Sequence, residues 1–182
     1  MNNKHFVFFT CIICLFIALT INKISSYYQI QRNMPDTLLQ IKEINSDAAL
    51  SEMLTIKDSK VNVIVIYTSW CSSCIKKLPI INKVITDNEN INPIIISLDE
   101  DKTKLLSFLS KQGNLHFTPY NVPQSYMEKL LSHLTTKGIT FDHHIPYIAV
   151  LYNGMDPITN IDSVPKLKSI IQDVIEKYHV NQ

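Results

Sequence analysis

The sequence predicts an α/β fold: a mixed central sheet with helices on both faces. Three observations carry that reading. Residues 61–67, VNVIVIY, and 91–99, INPIIISLD, are nearly unbroken apolar, β-branched runs, the pattern of strands buried on both faces. Segments of helical spacing alternate with them, which favours parallel pairing through helical crossovers. Late in the chain, Asn153-Gly154 closes a third apolar run and signals a hairpin, so antiparallel strands are expected there. Hydrophobic residues make up 46 % of the 182 and charged residues 18 %, enough apolar matter for a packed core. A net charge of +1 without a basic cluster leaves no footprint for nucleic acid, and three glycines cannot furnish a glycine-rich phosphate loop.

The first element is a membrane segment. Residues 6–21 read FVFFTCIICLFIALTI, sixteen positions without a charge, bracketed by Lys4 and Lys23. That length lies between a signal-peptide core and a comfortable spanning helix, and snorkelling lysines extend it. It is succeeded by no good small-x-small cleavage site, so residues 1–25 are expected to be an N-terminal transmembrane anchor, with a cleaved signal as the alternative. Such a segment exports the chain behind it, which puts residues 26–182 outside the cytoplasm, on the periplasmic side. Tyr27 and Tyr28 suit the membrane–water interface. Cys11 and Cys14 share one face of this segment and are expected to be small apolar fillers.

Residues 26–36 form a linker, and the folded domain is expected over 37–182. A first strand is expected over 37–44. Ser46 offers an N-cap to a helix over AALSEMLTI. After the strand at 61–67, CSSCIKKLPIINKVITDN is a helix with Ile75, Leu78, Ile81 and Ile85 on one side and Pro79 within it. The strand at 91–99 leads to a helix over 100–113 ending at Gly113. Residues 114–122 are a loop. A helix over 123–138 begins near Pro123 and ends at Gly138. A strand over 146–154, a return strand at DPITNI and a closing helix capped by Ser163, burying Ile170 and Val174, complete the chain.

The chemistry lies in YTSWCSSCIKKLP, where Cys71 and Cys74 stand two residues apart between a buried strand and a helix. Three readings compete. Structural zinc needs four ligands, and only His143 and His144 could complete the set. A permanent disulfide across so short a loop removes little chain entropy. The redox reading has the most physical support. Cys71 at the helix N-terminus meets unsatisfied N–H groups and the macrodipole, which favour the thiolate, the attacking species. Cys74, one turn on and less exposed, can attack the resulting mixed disulfide. Trp70 would shield the pair and offer a flat contact surface.

This segment resembles the active site of the thioredoxin superfamily: an aromatic residue, Trp-Cys-x-x-Cys, and a proline five residues on, here Pro79. HIPYIAVLYNG resembles the family's strand that faces the cysteines, with Pro146 as its cis proline. The resemblance implies a thioredoxin-like fold, Cys71 as nucleophile and Cys74 as resolving thiol, working through a redox-active Cys71–Cys74 disulfide with no cofactor and no metal. It implies that Trp70, Ile145 and Pro146 contact substrate, the Ile145 backbone pairing with an extended segment of it. Partners would be protein thiols or disulfides and a membrane redox protein. Val65 stands where cytosolic members carry a buried Asp, and Ser72-Ser73 replaces their Gly-Pro. The helix at 123–138 reads as an insertion. With the membrane segment, it resembles the exported, tethered branch that reduces thiols in cytochrome c maturation. A copper carrier using Cys71, Cys74 and His143 or His144 is the alternative, and a module kept only for partner binding is a third. His143, His144 and Asp142 read as exposed loop residues near the site, Lys76 and Lys77 as a solvated face, and the acidic stretch 99–102 as a helix start.

Overall fold

The computed structural model describes residue 13, residues 17–25 and residues 41–178. Residues 17–25 are helical. Among the described residues no helix is long and apolar enough to cross a membrane. Most of the 6–21 segment, with Cys11 and Cys14, and the whole 26–36 linker lie outside them.

Five strands form one sheet: β1 (Lys42–Glu43), β2 (Val61–Tyr67), β3 (Ile91–Ser97), β4 (Pro119–Asn121) and β5 (Tyr147–Leu151), in the order β1-β4-β3-β2-β5. All neighbours are parallel except β5, which runs antiparallel to β2 with Val65 opposite Ile148. The expected mixed sheet is therefore present. Both central strands are buried on both faces, as their continuous apolar runs require.

Five α-helices cover the sheet: α1 (Asp47–Met53), α2 (Ser72–Thr86), α3 (Lys102–Leu109), α4 (Met127–Thr136) and α5 (Val164–Tyr178). β2 sorts its side chains by alternation. Val61, Val63, Val65 and Tyr67 join a cluster with Leu78 and Ile81 of α2, Leu105 of α3, and Leu167 and Ile171 of α5. Ile64 and Ile66 join a second cluster, with Leu50 of α1 and Leu130 and Leu134 of α4. Helices thus lie on both faces.

Several expectations need correction. The loop expected over 114–122 contains β4, which sits between β1 and β3. Just past it the Val122 N–H donates to the Ser97 carbonyl at 2.9 Å. Three residues opening on a proline carry no alternation to read. The first strand pairs only at Lys42–Glu43, residues 37–40 being outside the described part. The return strand shrinks to one bridge, Val150 with Ile158, because Pro157 lacks the N–H for a ladder. The helix over 123–138 opens as a 3-10 turn, Gln124–Tyr126, before α4. β3 stops at Ser97, and α3 starts at Lys102 because Asp101 caps it, its carboxylate accepting the Thr103 and Lys104 N–H groups. Ile75 is 43 % exposed, beside Trp70, not on the buried side of α2. In α5 it is Ile171 that is buried, with Ile170 only half-buried.

Candidate active site

The site lies where β2 ends and α2 begins. Cys71 is the N-cap of α2, and its Sγ accepts the Cys74 N–H at 3.2 Å. That is the place usually taken by a Ser, Thr or Asp oxygen, so a sulfur carrying negative charge meets a free N–H there. Cys71 is half-buried and Cys74 is 1 % exposed; both are free thiols. Burial, reinforced by the hydrogen bond with Cys71, pushes the Cys74 thiol up to about 12. The two sulfurs therefore have distinct characters: one reachable, one sheltered and protonated at neutral pH.

Facing them is the segment that enters β5. The Ile145–Pro146 peptide bond is cis, and the Cys71 thiol donates to the Ile145 carbonyl at 3.6 Å. The antiparallel register sets this approach: Tyr147 pairs with Ile66, so the residues just before Tyr147 pass over the end of β2. Trp70 is 69 % exposed. Trp70 and Ile145 both line a cleft of about 550 Å³ whose walls include Asp99, Met127, Phe141 and His143.

The Thr68–Cys71 turn is held from behind by Asp99. Its carboxylate accepts the Ser69 N–H at 2.8 Å, the Ser69 hydroxyl at 2.6 Å and the Ser97 hydroxyl at 2.8 Å. Asp99 is 2 % exposed, so it is a buried clamp rather than the helix-start charge expected of it. Its sequence signal was its place directly after a buried strand. Met127 and Phe141, which bound the cleft, had no such signal, because they reach it only through the placement of α4 and of the segment that leads from it to β5.

The remaining candidates separate. His143, held at φ 65°, packs on Phe141 at 5.1 Å and faces the cleft. His144 points into solvent and pairs with Asp142 at 3.2 Å, and its backbone N–H holds the Asp142 carboxyl below the usual range. Among the described residues no three His, Cys, Asp or Glu side chains converge as a metal site. Lys77 is not merely solvated: its Nζ donates to the Asp162 carbonyl at 2.6 Å and ties α2 to the lead-in of α5.

Residues 21–119 match a family model described as thioredoxin. The chain belongs to the thioredoxin family. The match includes Trp70, Cys71 and Cys74 and ends before Ile145-Pro146. With that membership and the Cys71–Cys74 pair, the expectation of a thioredoxin-like protein-disulfide oxidoreductase holds. No curated protein matches the chain. Among solved structures it is similar to a thioredoxin-related protein from Neisseria meningitidis serogroup B, at 19 % identity and a TM-score of 0.51, covering 69 % of this chain and 88 % of that one. It is also similar to the thioredoxin domain of a thiol-disulfide oxidoreductase from Bacteroides vulgatus, at 13 % identity and a TM-score of 0.50, covering 66 % and 80 %. A thiol:disulfide interchange protein from Bacteroides sp. gives 12 % identity, a TM-score of 0.50, and coverage of 64 % and 74 %. At these identities the likeness is one of fold.

Proposed function

We propose that this thioredoxin-family protein reduces disulfides in protein partners on the outer side of a membrane, as in cytochrome c maturation. Residues 1–25 would hold it there, with 26–36 as linker and 37–182 as the working domain. The observation that carries the chemical reading is the contrast between the two thiols: Cys71 half-buried on the end of α2, Cys74 buried and pushed up to about 12.

Cys71 as thiolate attacks one sulfur of the partner's disulfide. A Cys71–partner bond forms, the partner's own S–S bond breaks, and its second sulfur leaves. Cys74 then attacks the Cys71 sulfur, closing the Cys71–Cys74 disulfide; its proton passes to the departing partner thiolate. The partner gains two electrons and the pair loses two, so a membrane redox protein must return them. Trp70 precedes Cys71 in the chain and the Ile145 carbonyl accepts from its thiol; with Pro146 they would form the contact surface for the partner, the Ile145 backbone taking an extended segment. The outward placement rests on the apolar run at 6–21 and on the exposure of Ile17, Leu19, Ile21 and Ile24 along the helix that the described part of it forms. The cytochrome c maturation type rests on that segment together with helix α4.

The test is the midpoint potential of the full chain equilibrated in glutathione buffers and read by mass after alkylation. A value near or below about −230 mV is expected of a reductant. A value near about −120 mV would make the protein an oxidant and overturn the direction proposed.

A further inference from the structure

The resolving thiol faces an electrostatic difficulty. Cys74 must become an anion, or nearly one, as it attacks the Cys71 sulfur, yet it is 1 % exposed and burial favours its protonated form. Val65, on the same face of β2, offers no acid to help it.

Two residues along that face stands Tyr67. Its side chain is wholly buried in the cluster that holds Cys74, beneath α2, with its ring tilted against Phe108 at 6.0 Å. Its hydroxyl has no hydrogen-bond partner among the described residues. A buried hydroxyl left unpaired is disfavoured, and few persist without a reason. We propose that the Tyr67 hydroxyl is a reserved hydrogen-bond donor for Cys74, positioned to meet its sulfur as negative charge develops there.

The surroundings fit a donor that never gives up its proton. Burial pushes the Tyr67 hydroxyl upward, and the charges of Asp99 and Cys74 push the same way. Those are the two ionisable groups that bear on it, Asp99 from beyond the end of β3 and Cys74 from α2. Val61 and Val63 on β2, Leu105 and Phe108 on α3, and Leu167 and Ile171 on α5 supply the rest of the cluster and carry no charge. A neutral phenol in such a place donates and does not act as a base. In the resolving step the Cys71–Cys74 bond forms, the Cys71–partner bond breaks, and the Cys74 proton leaves with the partner thiol. Tyr67 begins and ends as a phenol. This role for Tyr67 rests on the proposed reading of Cys74 as the resolving thiol.

The test uses the full chain carrying glutathione on Cys71, with release of glutathione monitored against pH. Tyr67→Phe keeps the ring and removes only the unpaired oxygen, so its melting temperature should equal or exceed that of the wild type. Release should nevertheless slow by about tenfold or more, the loss of one hydrogen bond to a charged group. The rise of the rate with pH should shift to higher pH. Wild-type release from Tyr67→Phe, or slowed release with no shift of its pH dependence, overturns the proposal. A wild-type protein that never releases glutathione refutes the resolving role itself, and the role of Tyr67 with it.

Discussion

At the scale of single residues, Cys71 and Cys74 differ in what surrounds each sulfur, and exchanging either for Ser separates their duties. Cys71→Ser should lose disulfide exchange altogether. Cys74→Ser should still attack and then stall, accumulating mixed disulfides that mass spectrometry of non-reduced protein detects. Full exchange activity from Cys71→Ser would contradict the assignment. Cys71, Cys74 and Trp70 were legible because a Cys-x-x-Cys pair between a buried strand and a helix is a local pattern. Ile145 and Pro146 could be placed opposite them only through resemblance, since the register that brings them there joins residues far apart in sequence. Asp99 was misread for the same reason. Its partner Ser69 lies thirty positions away, and only the parallel register pairing Tyr67 with Ser97 sets the two side by side. Tyr67 looked like one more apolar residue of a strand; that its hydroxyl lacks a partner is a property of the packed core, invisible along the chain.

Among elements, the long apolar strands and capped helices were readable and the short ones were not. β2 was placed to the residue because six of its seven positions are apolar, all but Asn62, and such a run admits little else. β4 was missed because three residues hold no period, and its existence depends on β3 offering an unpaired edge. The expected helix end at Gly138 is real and has a steric basis. Gly138 sits at φ 73°, and a Cβ there would lie 3.3 Å from Pro157 Cγ. Gly113 shares that φ but faces open space. Gly138→Ala should therefore destabilise the fold by about 1–2 kcal/mol, with Gly113→Ala toward the lower end of that range. Denaturant midpoints of the two variants compare them directly. Equal losses would mean that the Pro157 contact relaxes freely.

For the molecule as a whole, the raised Cys74 thiol links redox state to pH. A thiol that holds its proton more tightly when folded than when unfolded stabilises the reduced fold below its ordinary value of 9.0. That contribution fades as pH climbs from there toward about 12, because the unfolded chain ionises first. Reduced wild type and Cys74→Ala should therefore converge in stability across that window, as read by denaturant unfolding at stepped pH. A gap that stays constant would show that the thiol is not held protonated by the fold. The same sheltering predicts that iodoacetamide at neutral pH labels Cys71 and spares Cys74 until the chain unfolds.

The two margins of the sheet have a consequence of another kind. On one side the outermost strand, among the described residues, is Lys42–Glu43, both exposed. On the other, β5 is shut off by the chain's own return, which takes both the Val150 N–H and its carbonyl through Ile158 and meets the Ile148 carbonyl through Ile161. Among the described residues neither margin offers a long, bare row of amide groups on which a foreign strand could grow. A protein whose proposed partners arrive with disulfides still to be opened, and so incompletely folded, can meet their sticky segments without becoming a seed for their aggregation.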